Sequence, residues 1–475
     1  MSDVPEGWEL VCGLEVHCEL ATKTKLFCGC RNHFGDEANT NVCPVCLGLP
    51  GSLPVLNGEA VEYAMKLGRA LHCTVNAAEF ARKNYFYPDM PRDFQVTQFD
   101  RPTNTMGYLD LPAGKRIGIV RAHIEEDTGK TVHVGGGGRI HEADHSLVDY
   151  NRAGVPLVEI VSEPDIRSAD EAKAYVDELR KIVLAIGVSD AKMEEGSMRV
   201  DANVSVRPAG SAEFRTRCEI KNINSLSSIE RAIRYEANRH IGLYDAGERP
   251  HQETRHWDEE NQRTRAGRSK ENSDDYRYFP EPDLLPLEPS AADIARIDAS
   301  LPLLPAARRD RLAEVAAVSA ERAALIVDRG QDEFAFAAIG AGADPARVLV
   351  HIEQNLKDGF GMMDVDASTR LVAMETQSKL TPTQTKQVLA ELVAEGGSPE
   401  GIAKAHGFEA MDSGDLTAII DKIIAENPDD WQRFVEADDT AANKIFSFFA
   451  GLVMKATRGK ADGKAVRDIF MQRRA

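Results

Sequence analysis

Four stretches of this chain alternate apolar and polar residues with period two. That pattern demands a half-buried β-sheet, because successive strand side chains point to opposite faces. In LVCGLEVHCEL, Leu10, Cys12, Leu14, Val16, Cys18 and Leu20 share one face and Glu15, His17 and Glu19 the other. IGIVRAHIEED aligns Arg121, His123 and Glu125. MRVDANVSV sets Met198, Val200, Ala202, Val204 and Val206 against Arg199, Asp201, Asn203 and Ser205. FRTRCEIK sets Phe214, Thr216, Cys218 and Ile220 against Arg217, Glu219 and Lys221. Solvated outer faces of antiparallel sheets read the same way. These four, however, carry carboxylates, histidine, asparagine and arginine in place of the usual Lys, Thr and Ser.

Brought together, Glu15, His17, Glu125, Asp201 and Glu219 make an oxygen-rich site with one imidazole, suited to a hard divalent cation such as Mg2+ or Mn2+. Lys221 and Arg217 beside it suit phosphate oxygens. The face therefore reads as a metal-nucleotide surface. A phosphate loop is not the source of nucleotide binding. EEDTGKTV contains Gly129, Lys130 and Thr131, but a Walker A loop requires glycine where Ile124 stands. The run Gly135 to Gly138 lacks a strand-to-helix setting and reads as a hairpin or mobile loop.

Cys28-Gly-Cys30 is followed after twelve residues by Cys43-Pro-Val-Cys46, two close thiol pairs able to close a tetrahedral Zn2+ site. Four thiolates leave no open coordination position, so the expected role is structural. Cys12, Cys18 and Cys218 fall on apolar strand faces.

Beyond residue 290 the pattern changes from strands and turns to helices. Prolines cluster at this boundary, near Pro286 to Ser290, and cannot continue a helix. Thr381, Pro382 and Gln384 predict a capping box with proline at the first helical position. Ser398-Pro399 repeats the opening after a Gly-Gly stop. Leu416, Ile419, Ile420, Ile423 and Ile424 mark the apolar stripe of a packed helix. The expectation is an α+β fold with three domains: 1–290 on a largely antiparallel sheet, an all-α domain 291–405, and a small all-α tail 406–475.

The 475 residues carry a formal charge of −19, which excludes nucleic-acid binding through overall charge and leaves it to local patches. Such a patch exists. From Gly451 to Ala475, seven basic residues, among them Lys455, Arg458 and Lys460, outnumber two acidic ones. The start of the chain lacks a basic, apolar secretory pattern, and no apolar run of membrane-spanning length occurs. A cytoplasmic location is expected.

Several blocks in order resemble the family of B subunits of the GatCAB aspartyl/glutamyl-tRNA(Asn/Gln) amidotransferase. They are GLEVH (Gly13 to His17), the two cysteine pairs, KNYFYPDMPRDFQ (Lys83 to Gln95), HIEEDTGK (His123 to Lys130), DYNRAGVPLVEIV (Asp149 to Val161), MRVDANVSVRP, RCEIKNINS (Arg217 to Ser225), DYRYFPEPD (Asp275 to Asp283) and GLVMKATRGKAD (Gly451 to Asp462). The resemblance implies a cradle-shaped N-terminal domain related in fold to glutamine synthetase, then a helical domain and a helical tail. It implies ATP-dependent phosphorylation of the side-chain carboxylate on Glu-tRNA(Gln) or Asp-tRNA(Asn), followed by displacement of phosphate by ammonia.

The family's metal positions map onto Glu15, His17, Glu125 and Glu219, with Glu126 and Asp201 as further catalytic candidates. Its zinc ligands map onto Cys28, Cys30, Cys43 and Cys46. Arg217 and Lys221 as phosphate contacts come from the strand face alone. Tyr85, Tyr87, Tyr276 and Tyr278 stand among prolines, where aromatics either stack on a terminal adenosine or pack the turn. No glutaminase nucleophile is evident, so the resemblance implies a separate A subunit that supplies ammonia and a C subunit completing a heterotrimer. Two alternatives are a zinc-stabilised tRNA-binding protein without catalysis and a small-molecule carboxylate ligase.

Overall fold

The structure is a computed structural model and describes residues 4–135, 143–269, 273–408, 413–437, 439–457, 461 and 463–474. Residues 136–138 of the glycine run lie outside the described residues, as do Arg458 and Lys460. The chain divides into two compact units, Met1–Ala306 and Ala307–Ala475.

Among the described residues, the first unit is built on fourteen strands: β1 (Trp8–Glu19), β2 (Thr74–Val75), β3 (Ala81–Asn84), β4 (Phe94–Thr97), β5 (Asn104–Asp110), β6 (Arg116–Glu126), β7 (Lys130–Val134), β8 (His145–Asp149), β9 (Pro156–Ser162), β10 (Met198–Pro208), β11 (Cys218–Ile223), β12 (Glu253–Asp258), β13 (Arg263–Ser269) and β14 (Phe279–Pro280). Nine of them form one sheet in the order β13-β12-β11-β10-β1-β9-β6-β5-β2. Its pairings are antiparallel except β11 with β12. A small sheet β14-β3-β4 and the hairpin β7-β8 complete the unit.

β1 is central, and its alternation sets the layering. Leu10, Cys12, Leu14, Val16 and Cys18 are at most 1% exposed and join one core with Val200, Ala202, Val204, Ile124 and Ile160 from neighbouring strands. Helices α1 (Gly58–Ala70), α2 (Ala169–Ile186) and α3 (Leu226–Asp245) contribute Leu67, Tyr175, Leu179 and Ile233 to that core. Asn57, Ser168 and Ser225 cap the starts of these helices with their side-chain oxygens, and Gly187 ends α2 in the left-handed region. With its apolar side covered, the sheet has one face left for polar residues.

Two differences from the sequence reading have local causes. The fourth alternating stretch becomes a strand only from Cys218, and Phe214 is 64% exposed rather than packed. Strands β12 and β13 carry charge on both sides, ETRHWD and RTRAGRS, so no period-two signal announced them. Past the proline cluster, α4 (Ala291–Ser300) still belongs to the first unit and sends Ile297 into the sheet's core.

The second unit is helical. One core gathers Leu312, Ile326, Leu349, Leu371, Leu389 and Ile402; another gathers Leu416, Ile420, Phe434, Phe449 and Phe470. Thr381 and Gln384 form the capping box ahead of helix Pro382–Glu395, and Ser398 caps Pro399–Ala405.

Leu14 is buried on the strand that carries both halves of the site. Leu14→Ala is expected to cost about 2–5 kcal/mol of unfolding free energy, read as a lower denaturant midpoint with an unchanged slope.

Candidate functional site

Register assembles the site. Glu15 lies opposite Asp201 on β10 and Val161 on β9, and His17 lies opposite Arg199 and Glu159. One strand further, Glu159 faces His123, and Glu125 faces Leu157. Asn203 faces Glu219 across β10 and β11. Opposed side chains sit about 5 Å apart, so these pairings collect polar groups into two clusters.

In the first, ligand atoms of His17, Glu125 and Glu159 all lie within 4.8 Å of one another. His17 Nε2 is 3.6 Å from Glu125 Oε1 and 3.7 Å from Glu159 Oε2; His123 Nε2 is 3.4 Å from the latter oxygen. The Thr97 hydroxyl donates to Glu125 Oε2 at 3.4 Å. In the second cluster, ligand atoms of Glu15, Asp201 and Glu219 meet the same limit. Asn203 donates to Glu15 at 2.9 Å and Thr254 to Glu219 at 2.8 Å. Lys221 Nζ sits 2.8 Å from Asp201 Oδ2 and 3.6 Å from Glu219 Oε1.

Burial and like charge separate the two carboxylates of the first cluster. Burial, with Glu159 next, pushes Glu125 up to about 7. Burial would also raise Glu159, but His123, His17 and Lys83 outweigh it and bring that carboxyl down to about 2. Burial lowers His123 to about 4, which keeps its imidazole neutral at physiological pH. Lys221 stays protonated: burial opposes its charge, yet Asp201 and Glu219 raise it overall.

The donor sets fit divalent cations: one cluster offers two carboxylates and an imidazole, the other three carboxylates. Glu15, His17, Glu125 and Glu219 thus divide between two centres, each completed by a carboxylate, Glu159 in one and Asp201 in the other. Glu159 escaped the sequence reading because PLVEIVS is apolar on both sides of it and shows no alternation. Glu126 is not part of either cluster. As the neighbour of Glu125 it points to the opposite face, where its Oε1 pairs with Arg92 and accepts the Val96 amide at 2.7 Å. Just past the end of β6, Asp127 holds Arg199 at 2.9 Å and Arg152 at 3.4 Å.

Beyond the second cluster a cleft of about 310 Å3 opens over Val11 and Gly13. Asn203, Ser205, Pro164, Phe214 and Arg217 help line it. Arg217 therefore lies at the mouth of the cleft, on the loop before β11. Among the tyrosines, Tyr85 stacks on Tyr87 at 5.3 Å, Lys83 lies over Tyr276, and Tyr278 stacks on Phe99 at 4.0 Å. Burial, then Glu125 and Glu159, raise the Tyr278 phenol.

The Sγ atoms of Cys28, Cys30, Cys43 and Cys46 also fall within 4.8 Å of one another. A zinc tetrathiolate with bonds of about 2.3 Å needs sulfurs in this range. Cys46 is lowered to about 5 by its contact with Cys28, against burial, with the Cys43 amide and Lys25 assisting. In contrast, burial pushes Cys12 and Cys18 up to about 12, as expected of inert core thiols. Lys455 is exposed near the end of helix Asp439–Ala456.

Fold and site together define an α+β enzyme centred on a carboxylate-lined sheet face. The family model described as the GatB/GatE catalytic domain matches residues 10–295, and that described as the GatB domain matches 353–473. The chain belongs to the GatB family. It is 48% identical to the B subunit of the aspartyl/glutamyl-tRNA(Asn/Gln) amidotransferase of Frankia casuarinae, over 99% of this chain and 97% of the relative. The corresponding protein of Salinispora arenicola is 47% identical with the same coverage. That of a Synechococcus strain is 44% identical over 98% of this chain and 97% of its own length.

Because Glu125 must be ionised to hold a cation, Mn2+ affinity of the full chain should rise between about pH 6 and about pH 8. Glu159→Gln should lower that affinity about tenfold. Electron paramagnetic resonance of the free ion reads both, and a pH-independent, mutation-insensitive affinity contradicts the assignment.

Proposed function

We propose that this chain uses ATP to activate the side-chain carboxylate of Glu-tRNA(Gln), Asp-tRNA(Asn) or both, and then directs ammonia onto it to give the amide. The observation that carries this reading is the pair of carboxylate centres joined along β1, with Lys221 in the second and Arg217 at the mouth of the adjoining cleft. The family's tRNA amidotransferases supply the substrate class. The reading of a zinc-stabilised RNA-binding protein without catalysis is not favoured.

A carboxylate resists amidation because oxide is a poor leaving group. In the proposed reaction a carboxylate oxygen attacks the γ-phosphorus and the bond to the ADP oxygen breaks, leaving an acyl phosphate. Ammonia then adds to the acyl carbon, loses a proton, and expels inorganic phosphate. Such transfers depend on positioning and charge neutralisation.

The chain's residues divide that work. His17, Glu125 and Glu159 would hold one divalent cation and Glu15, Asp201 and Glu219 another. Bound Mg2+ or Mn2+ would neutralise the triphosphate. Lys221 and Arg217 bring further positive charge to the phosphates. The cleft over Gly13 receives the nucleoside, for which Phe214 offers an exposed ring. Asn203 and Thr254 orient Glu15 and Glu219, while Thr97 orients Glu125. Glu126, bound to Arg92 and β4, supports the face rather than reacting. Tyr85, Tyr87, Tyr276 and Tyr278 border the place where the tRNA's 3′ end must enter.

A four-cysteine zinc site would brace the first unit. The finer fold reading is a cradle related to glutamine synthetase, with domains 1–290, 291–405 and 406–475; the two helical cores support the division of the second half. Lys455, Arg458 and Lys460 contact the tRNA backbone. A glutaminase A subunit and a C subunit complete a heterotrimer in the cytoplasm.

The reconstituted heterotrimer, supplied with ATP, glutamine and each misacylated tRNA in turn, tests the reading. Glu125→Gln and Asp201→Asn should each reduce amide formation by about a hundredfold or more while glutamine hydrolysis by the partner continues. Amidation at the unaltered rate in both variants contradicts it.

A further inference from the structure

A fully buried lysine outside both carboxylate clusters demands an explanation. Lys25 is 0% exposed, and an ammonium taken from water is costly unless charge and hydrogen bonds offset the loss. Its Nζ donates to the Tyr150 carbonyl at 3.0 Å, which satisfies a hydrogen bond but brings no opposite charge.

The side chains of Lys25, Cys46 and Glu126 meet around Gly154. The point where a Cβ on Gly154 would sit lies 3.6 Å from Lys25 Cδ, 3.8 Å from Cys46 Cβ and 3.9 Å from Glu126 Oε2. Gly154 itself is in the left-handed region, with φ of 85°. Backbone bonds lock the junction: the Lys25 amide donates to the Cys30 carbonyl at 3.0 Å and the Leu26 amide to the Gly154 carbonyl at 2.8 Å. Glu126 in turn accepts the Val96 amide on β4, and the next residue, Thr97, donates to Glu125.

We propose that Lys25 is a positioning residue that joins the four-cysteine cluster to the carboxylate face, its buried stem passing beside Gly154 between Cys46 and Glu126. A zinc ion with four thiolates carries a formal charge of minus two, which the lysine counterbalances from within the protein. The same charge also favours the ionised Glu126 carboxyl, adding to the larger effect of Arg92, and Glu126 holds β4 so that the Thr97 hydroxyl stays on Glu125. Filling the cysteine site and setting the catalytic carboxylate are thereby linked through one side chain. The effect on activity rests on the reading of Glu125 given above; the effect on metal retention does not.

The test compares wild type, Lys25→Met and Lys25→Arg in the full heterotrimer. Zinc release to a chromophoric chelator should be about tenfold faster in Lys25→Met, with kcat for amidation about tenfold lower and KM for ATP unchanged. Lys25→Arg, which keeps the charge, should restore most of both. Adding Lys25→Met to Cys46→Ala should lower kcat no further than Cys46→Ala alone, since coupled sites are not additive. Should Lys25→Met fail to fold, Lys25→Gln keeps a donor for Tyr150 without the charge and carries the same expectations. Wild-type zinc release in a folded neutral variant overturns the link to the cysteines. Fully additive losses in the cycle overturn the link to the carboxylate face. A heterotrimer inactive in every form would instead remove the functional reading and leave the zinc-release result standing.

Discussion

Like charges held together on one half-buried sheet face are the constraint on which this molecule turns. Glu125 and Glu159 both lie around His17, and Asp201 and Glu219 both lie around Glu15. Carboxylates this close repel one another, and burial removes the water that would screen them. The chain's own answer is partial: Lys221 enters one cluster, and the nearby Lys83 and Arg121 act on the other. The raised Glu125 marks the charge left uncompensated. A divalent cation bound to phosphate is the natural complement of such a surface, and the rigid pairing of β1 with β9 and β10 keeps the clusters from relaxing apart.

Much of this was legible in the sequence because a strand's period is two. Alternation alone put Glu15, His17, Glu125, Asp201 and Glu219 on a polar face, and the register places them there. What alternation does not carry is which residues oppose one another, so the split into two centres was invisible. Glu159 hid in an apolar strand. Glu126 came in with the family's motif, and as the strand neighbour of Glu125 it faces the other way. The start of β11 was drawn too early because Phe214 continued a pattern that the backbone abandons in a loop. Lys25, preceded by Thr22-Lys23-Thr24 and followed by a buried Leu26-Phe27 pair, looks like any solvated lysine; only tertiary packing reveals its burial.

The cysteine insert acquires a different meaning in this light. It is tied by backbone bonds to the loop that carries Gly154, and that loop leads directly into β9 and Glu159. A metal bound there would stabilise one flank of the carboxylate face rather than a remote appendage. None of the four thiols is spent in a disulfide, which leaves them available for such a role.

The central claim is that the substrate carboxylate itself attacks phosphorus. Misacylated tRNA carrying oxygen-18 in the side-chain carboxylate, turned over by the heterotrimer with ATP, decides it by mass spectrometry of the released phosphate. One heavy oxygen per phosphate is the predicted result. Unlabelled phosphate alongside complete amide formation would contradict the account.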